Sequence, residues 1–250
     1  MKRLRLNGRG EWERINEPDF MPSISLFIPV HNEEKTIRKN IERIKKSLEN
    51  TKLPYEIIVV DDGSTDNTQK EIGKSNTSIV YVYFSRASRR ENLANSFKFA
   101  RGEIIIFTDA DLSVNPNNLK RLVMEIMGGK DIAIGSRNMG IKAKRGIFRQ
   151  TTSWIYNKTV ALLFNSKIKD HQCGFKAFRK NAVSYLVEKI GYDSTHQRGW
   201  FWDAEMLIEA QKTGYKIEEF PVAWKEGAKS EFNFFREIKL IPYLLKKVIS

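Results

Sequence analysis

Ile104-Ile-Ile-Phe-Thr-Asp-Ala-Asp-Leu-Ser113 runs from an apolar strand straight into two aspartates one residue apart. Side chains at i and i+2 of an extended segment share a face, so Asp109 and Asp111 can converge on one point. That point lies where a sheet presents its carboxyl edge, the usual ligand crevice of an open α/β sheet. Two hard carboxylates there suit Mg²⁺ or Mn²⁺, which keeps its remaining positions for water and phosphate oxygens. An acidic turn after a strand is also common in its own right, and taken alone the pair supports either reading.

Working outward, the same punctuation recurs. Ser23 to Ile28 is an apolar strand closed by Pro29, and Ile37, Ile41, Ile44 and Leu48 then follow at helical spacing. Tyr55 to Val60 is a second strand, ending in the turn-rich Asp61-Asp-Gly-Ser-Thr-Asp-Asn-Thr68. Ile79 to Phe84 is a third, and a helix over Glu91 to Ala100 precedes the Ile104 strand. Pro116 to Met127 reads as a helix capped by Asn115, with Asp131 to Ile134 as a short strand after it. Strands alternating with helices predict an α/β fold with a mostly parallel, Rossmann-like sheet flanked by helices. Beyond residue 138 lie a basic linker (Lys142, Lys144, Arg145, Arg149), an aromatic-apolar helix over Trp154 to Phe164, and a short strand at Phe175 to Phe178. Helices near 180–190 and 203–213 and a strand at Ile217 to Val222 complete the pattern. Residues 1–22 are charged and read as a loose leader; 23–230 form the domain; 231–250 form an amphipathic helical tail.

Composition narrows the class. The chain has 250 residues, 41% of them hydrophobic, enough for one large α/β domain. Lys and Arg total 43 against 30 acids, a formal charge of +13, which favours polyanions: nucleotide phosphates, nucleic acid or an anionic membrane. A single cysteine, Cys173, excludes an internal disulfide and fits a reducing compartment. The start has no signal-peptide core, and no run approaches the ~18 apolar residues of a membrane span. The expected location is cytoplasmic, peripheral on the cytosolic face of a membrane.

Several segments are candidates for chemistry. Pro29-Val-His-Asn-Glu33 follows the first strand without a Gly-rich turn, so neither the dinucleotide fingerprint nor the P-loop is present. Asp61 is the better ligand at the second strand end; Asp62 to Thr68 read as turn and capping residues. Arg137, in Gly135-Ser-Arg137, stands where it can clamp phosphate, or is a plain surface arginine. Asp170-His-Gln-Cys-Gly-Phe-Lys176 surrounds a glycine with polar groups, and Cys173 reads as a packed small residue. His31, His171 and His196 are too scattered for zinc. Asp203 and Glu205 open an apolar helix behind three aromatics, a position the helix dipole alone favours. The basic residues are dispersed, and no RNA-binding signature accompanies them, so no nucleic-acid partner is expected.

Taken in order, PVHNE, VVDDGSTDNT, DADLS, GSR, DHQCGFKAFR and FWDAE resemble glycosyltransferase family 2 enzymes of the GT-A fold, and more narrowly the polyprenyl- and dolichyl-phosphate hexose synthases. The resemblance covers about residues 23 to 230. It implies an inverting hexosyltransferase with a nucleotide-sugar donor, a divalent cation and a polyprenyl or dolichyl phosphate acceptor. Carried over by position, Pro29, His31, Glu33 and Asp61 line the nucleotide, Asp109 and Asp111 hold the metal (Mg²⁺ or Mn²⁺), and Arg137 meets phosphate. Gln172 shapes the sugar and acceptor site. The Gln-Cys-Gly-Phe-Lys wording, the Trp-Asp-Ala-Glu block and Ala223 to Lys229 sit closer to the glucosyltransferase branch, making UDP-glucose the lead donor. GDP-mannose is the alternative, and a transferase acting on a soluble acceptor is a third reading. His31 stands where many members carry tyrosine, and Ser113 where mannose synthases often place glutamine.

A lipid phosphate is already anionic at neutral pH and needs positioning and neutralisation rather than a base. Arg149, Lys176 and Lys229 are candidates for that task, and Asp203 for orienting the sugar or a basic residue. The aromatic and basic character of the 154–164 helix and of the tail fits an anionic membrane surface, with core packing as the other reading. A separate transmembrane partner subunit is a further route to the membrane.

Overall fold

The computed structural model describes residues 2–6, 12–14, 21–75, 77–88, 90–139, 147–193, 198–199, 201–225 and 243. Four parallel strands make the centre of the sheet: β3 (Ile24–Val30), β4 (Tyr55–Asp62), β5 (Ile79–Phe84) and β6 (Ile104–Thr108). Their order is β5-β4-β3-β6. It reverses at β3, with β4 to one side and β6 to the other, so the carboxyl ends of β3 and β6 flank a crevice. Residues such as Phe27, Ile58, Ile106 and Phe107 are buried, as strands covered on both faces require.

The helical spacing read from residue 37 onward forms α1 (Ile37–Glu49), and Ile37, Ile41, Ile44 and Leu48 are its buried stripe. Each such side chain contributes roughly 2 kcal/mol by leaving water. Next come α2 (Thr68–Gly73), α3 (Arg90–Ser96) and α4 (Leu119–Met127). Asn115 caps the short turn before α4, its side chain accepting from the Asn117 amide. β7 (Ile132–Ser136), α5 (Ile147–Phe164), β8 (Phe175–Arg179), α6 (Lys180–Ile190), α7 (Phe201–Thr213) and β9 (Ile217–Pro221) complete the domain.

Three local expectations change. Pro29 does not close β3: the strand runs on to Val30, with Pro29 opposite Val60 and Val30 opposite Asp61. Residues 1–22 are not a plain leader, because β1 (Lys2–Leu6) and β2 (Trp12–Arg14) form an antiparallel pair that adds onto β5. An unpaired β5 edge would leave a row of open backbone groups, and this ribbon covers them. The sheet is also more mixed than alternating βα units imply, since β8 runs antiparallel to both β6 and β7. That direction places the start of β8 at the carboxyl end of β6, with Phe175 opposite Thr108.

The turn into β6 is tightly built. Ser25 Oγ donates to Glu56 and accepts from the Gly102 amide at 2.8 Å, and Arg101 pairs with Glu56. A Cβ on Gly102 would lie 2.7 Å from the Ile24 carbonyl carbon and the Ser25 nitrogen. Backbone cannot yield as a side chain can, so Gly102→Ala is expected to cost about 1–3 kcal/mol. Urea unfolding would register this as a lower midpoint at unchanged slope.

Candidate functional site

Asp109 and Asp111 leave the end of β6 through a turn fixed from three sides. The Asp109 amide donates to the Gly174 carbonyl at 3.0 Å, and buried Asn40 of α1 donates to the Ala110 carbonyl at 2.8 Å. Leu112 takes the left-handed conformation at φ 51°, uncommon for a residue with a bulky side chain. Asp111 is exposed, its carboxylate accepting from the Ser113 amide and hydroxyl at 2.9 and 2.6 Å. Asp109 is partly open, and its Oδ1 receives both terminal nitrogens of Arg90 at 3.1 Å. A Cβ on Gly174 would stand 1.9 Å from Asp109 Oδ2, so only glycine lets that carboxylate lie against the β8 backbone.

Behind Asp109 lies a buried ion cluster. Asp203, in the first turn of α7, is fully buried, with Arg90 Nε on Oδ2 at 2.8 Å and Lys176 Nζ on Oδ1 at 2.6 Å. Lys176 also donates to the Cys173 carbonyl at 2.6 Å. Both cations stand over the Phe107 ring, at 5.1 and 5.3 Å from its centroid. The Lys176 ammonium is thus committed inside the protein, which corrects its reading as an acceptor-phosphate cation. Asp203 is paired with two basic residues through both of its oxygens.

The other strand ends are interlocked loops. Asn32, left-handed at φ 55°, accepts on its side chain from the Thr65 amide at 2.8 Å, while its own amide donates to Ser64 Oγ at 3.0 Å. His31 is exposed, with Nδ1 2.9 Å from the Asp62 carbonyl. Glu33 opens α1: its carbonyl accepts from the Ile37 amide, and its carboxylate accepts from Thr36. Pro29 is half-buried within β3. Asp61 is buried, accepting from Tyr81 Oη and from the Ser64 amide at 2.8 Å. Burial, with the Asp61 carboxylate beside it, raises the Tyr81 phenol and keeps it a donor. Asp62 does more than turn chemistry, since its carboxylate accepts from the Ser88 amide and from Asn92 and so ties β4 to α3.

Arg137 follows β7, and its Nε and Nη2 both donate to Asp170 at 2.6 Å, with Trp224 4.8 Å from the guanidinium. Burial alone would raise the Asp170 carboxyl, but the Arg137 charge and hydrogen bonds hold it below the ordinary carboxylate range. A phosphate at Arg137 therefore competes with a buried internal partner. Gln172 is half-buried in the turn between Asp170 and Gly174. Cys173 is fully buried and its thiol is pushed up to about 12 by burial, so it packs and does not react. Arg149 lies in the first turn of α5; its side chain, like Lys229 and the tail apart from Tyr243, lies outside the described residues.

No group of three or more His, Cys, Asp and Glu side chains forms a metal cage among the described residues. What Asp109 and Asp111 offer is a two-carboxylate, all-oxygen half-site, which fits a hard divalent cation completed by water and phosphate oxygens. Arg90 escaped the sequence reading. A signal was present: Arg90, Leu93, Ala94 and Phe97 share one helical stripe, and Asp203 shares another with Met206, Leu207 and Ala210. A charge on the buried stripe of a helix calls for a buried partner.

The family model of glycosyl transferase family 2 matches residues 25–186. Glycosyltransferase AglD of Haloferax volcanii is 34% identical over 224 residues, 86% of this chain but 35% of AglD, so the chain spans about a third of that relative. Dolichyl-phosphate beta-glucosyltransferase ALG5A of Trichomonas vaginalis is 30% identical over 242 residues, covering 90% of this chain and 73% of that protein. Among solved structures, glucosyl-3-phosphoglycerate synthase from Mycobacterium tuberculosis, in complex with Mn²⁺, UDP and phosphoglyceric acid, superposes with a TM-score of 0.70. It is 20% identical, covers 91% of this chain and 78% of that one, and shares the fold.

One group beside the site makes stability depend on pH. His171 is fully buried; Asn157 Oδ1, which only accepts, lies 2.9 Å from Nδ1, so Nε2 accepts from Ser166 Oγ–H at 2.7 Å. Burial lowers the imidazole from 6.5 to about 4, against the pull of the Asp170 charge. A histidine depressed on folding contributes stability that is present above its unfolded value and lost as pH falls through the window from 6.5 to about 4. At 1.36 kcal/mol per unit the loss is about 3 kcal/mol. Unfolding free energies across this window should fall in the wild type and be flatter in His171→Gln.

Proposed function

Since the chain belongs to glycosyl transferase family 2, we propose that it transfers a hexose from a nucleotide sugar, UDP-glucose as lead donor, to a polyprenyl phosphate with inversion at the anomeric carbon. The observation that carries this reading is Asp203. Both of its oxygens are held by buried cations, at 2.8 Å from Arg90 and 2.6 Å from Lys176, and the side chain is shut off from solvent. A carboxylate so placed is not free to take a proton from an acceptor hydroxyl. An acceptor that is already an anion needs no such proton transfer. A phosphate oxygen attacks the anomeric carbon from the face opposite the nucleoside diphosphate, the new C–O bond forms as the old one breaks, and the diphosphate leaves with the bonding pair.

The residues divide the work. Asp109 and Asp111 would hold a divalent cation, which when bound neutralises charge gathering on the leaving diphosphate. Arg90 and Asn40 fix where those carboxylates stand, and Gly174 admits Asp109 to its place. His31 and Glu33, in the loop after β3, and Asp61, near the end of β4, are proposed to line the nucleoside, at the carboxyl ends of these two paired strands. Gln172 faces the sugar and acceptor, and Arg149 and Lys229 are proposed to neutralise the acceptor phosphate. No helix among the described residues is long and apolar enough to cross a membrane. α5 does expose Trp154 at 57% and Leu162 at 84%, with Lys158 beside Trp154, which supports contact with an anionic bilayer surface; the face we propose is the cytosolic one.

A donor panel with a short polyprenyl phosphate and Mg²⁺ or Mn²⁺ tests the reading by which labelled sugar enters the lipid phase. Glucose from UDP-glucose is expected; mannose from GDP-mannose would reassign the donor, and no lipid product would refute the acceptor. Asp111→Asn should abolish turnover with the fold intact. Asp203→Asn leaves Arg90 and Lys176 short of an anion, a loss on the order of 3–5 kcal/mol. Its residual activity should not recover as pH is raised, whereas recovery at high pH would make Asp203 a base.

A further inference from the structure

Arg90 enters α3 on its buried stripe, with only 5% of its side chain exposed. It spends Nε on Asp203 and both terminal nitrogens on Asp109 Oδ1. Lys176 serves the other oxygen of Asp203, and the two terminal nitrogens of Arg90 bring its charge onto Asp109 Oδ1. The guanidinium cannot swing away freely, since Phe107 lies beneath it and Asp203 holds its Nε. Asp109 Oδ2 in turn lies against Gly174. Asp111, by contrast, is exposed and bonded only to uncharged groups of Ser113 among the contacts described. A divalent cation approaching the pair meets one carboxylate whose charge is already partly neutralised, and a fixed positive charge directly behind it.

We propose that Arg90 is a positioning residue that holds down the affinity of the Asp109–Asp111 pair for a free divalent cation. Like charges a few ångströms apart in a partly buried setting repel strongly. A nucleoside diphosphate reverses the balance, because its negative charges offset Arg90 and its oxygens complete the cation's shell. The cation is then retained well only together with the diphosphate. This consequence rests on the nucleotide-sugar reading; the effect of Arg90 on the cation alone does not.

The test is Mn²⁺ binding to the full chain with no nucleotide, read from the EPR signal of free Mn²⁺. Arg90→Met should bind Mn²⁺ about 10-fold or more tightly than wild type, as expected for loss of an adjacent unit charge. Arg90→Gln, which keeps a donor for Asp203, is a second neutral variant and should tighten binding likewise. Arg90→Lys keeps the charge and should stay within about 3-fold of wild type. Adding Asp111→Asn should remove the tight binding, placing the ion at this pair. Folded neutral variants that bind Mn²⁺ no more tightly than wild type overturn the proposal. If they bind more tightly but neither UDP nor GDP improves Mn²⁺ retention in wild type, Arg90 keeps its assigned role and the nucleotide reading fails.

Discussion

The site depends on a balance of charge buried beside Phe107. Arg90 and Lys176 are positive, Asp109 and Asp203 negative, and the four are joined by short charge-assisted hydrogen bonds. They come from α3, the turn after β6, β8 and α7, so one cluster fastens four elements at one point. Buried pairs of this kind seldom stabilise more than a well-packed apolar substitute would, yet removing one member strands its partner at large cost. Their value lies in fixing where charges stand. Asp109 is the most open of the four; Arg90 holds it directly, and Asp203, itself held by Lys176, holds Arg90.

Strand direction makes the cluster possible. β3 and β6 run parallel, so the loop that begins at His31 and the Asp109 turn leave the sheet at the same, carboxyl edge. β8 runs the other way, so its beginning meets the end of β6 and delivers Gly174 and Lys176 beside Asp109. β9 returns parallel to β7, and beyond it Trp224 bridges to Val114 while the Lys225 amide donates to the Ser113 carbonyl. The aspartate turn is therefore enclosed by segments more than sixty residues away in sequence on either side, counting Asn40 on one and Gly174 to Lys225 on the other.

Charge is also matched inside the domain, although the chain as a whole is positive. Asp109 is partly countered from within by Arg90, and among the described residues the buried side chains of Arg90, Lys176, Arg137 and Arg198 are each paired with an acid. Of these, Arg137 pairs with Asp170, and Arg198 with Glu91 and Glu205. Net charge then acts over distance, drawing phosphates in, and the local pairing decides which groups meet them.

Much was legible in the sequence. Hydrophobic periodicity located β3 to β9 and most of the helices between them, because burying an apolar face imposes a period on the chain wherever it packs; the short α2 was read as turn, and the first turns of α5, with Arg149, as linker. The aspartate pair, the capping Asn115 and the inert Cys173 followed from local chemistry. The paired motifs in order marked the family. What no local pattern carried was partnership. Nothing near Lys176 says that its ammonium turns inward to Asp203, and nothing near Asp61 says that Tyr81 covers it. The β1–β2 ribbon was hidden because a strand in which Arg and Leu alternate is not distinguished by hydrophobicity from a charged tail. The antiparallel course of β8 was hidden because period two is the same in either direction. The sequence determined which residues must be buried and which carry charge. Only the tertiary structure decided which opposite charge each would meet, because that choice depends on sheet order and strand direction, set by packing across the whole domain.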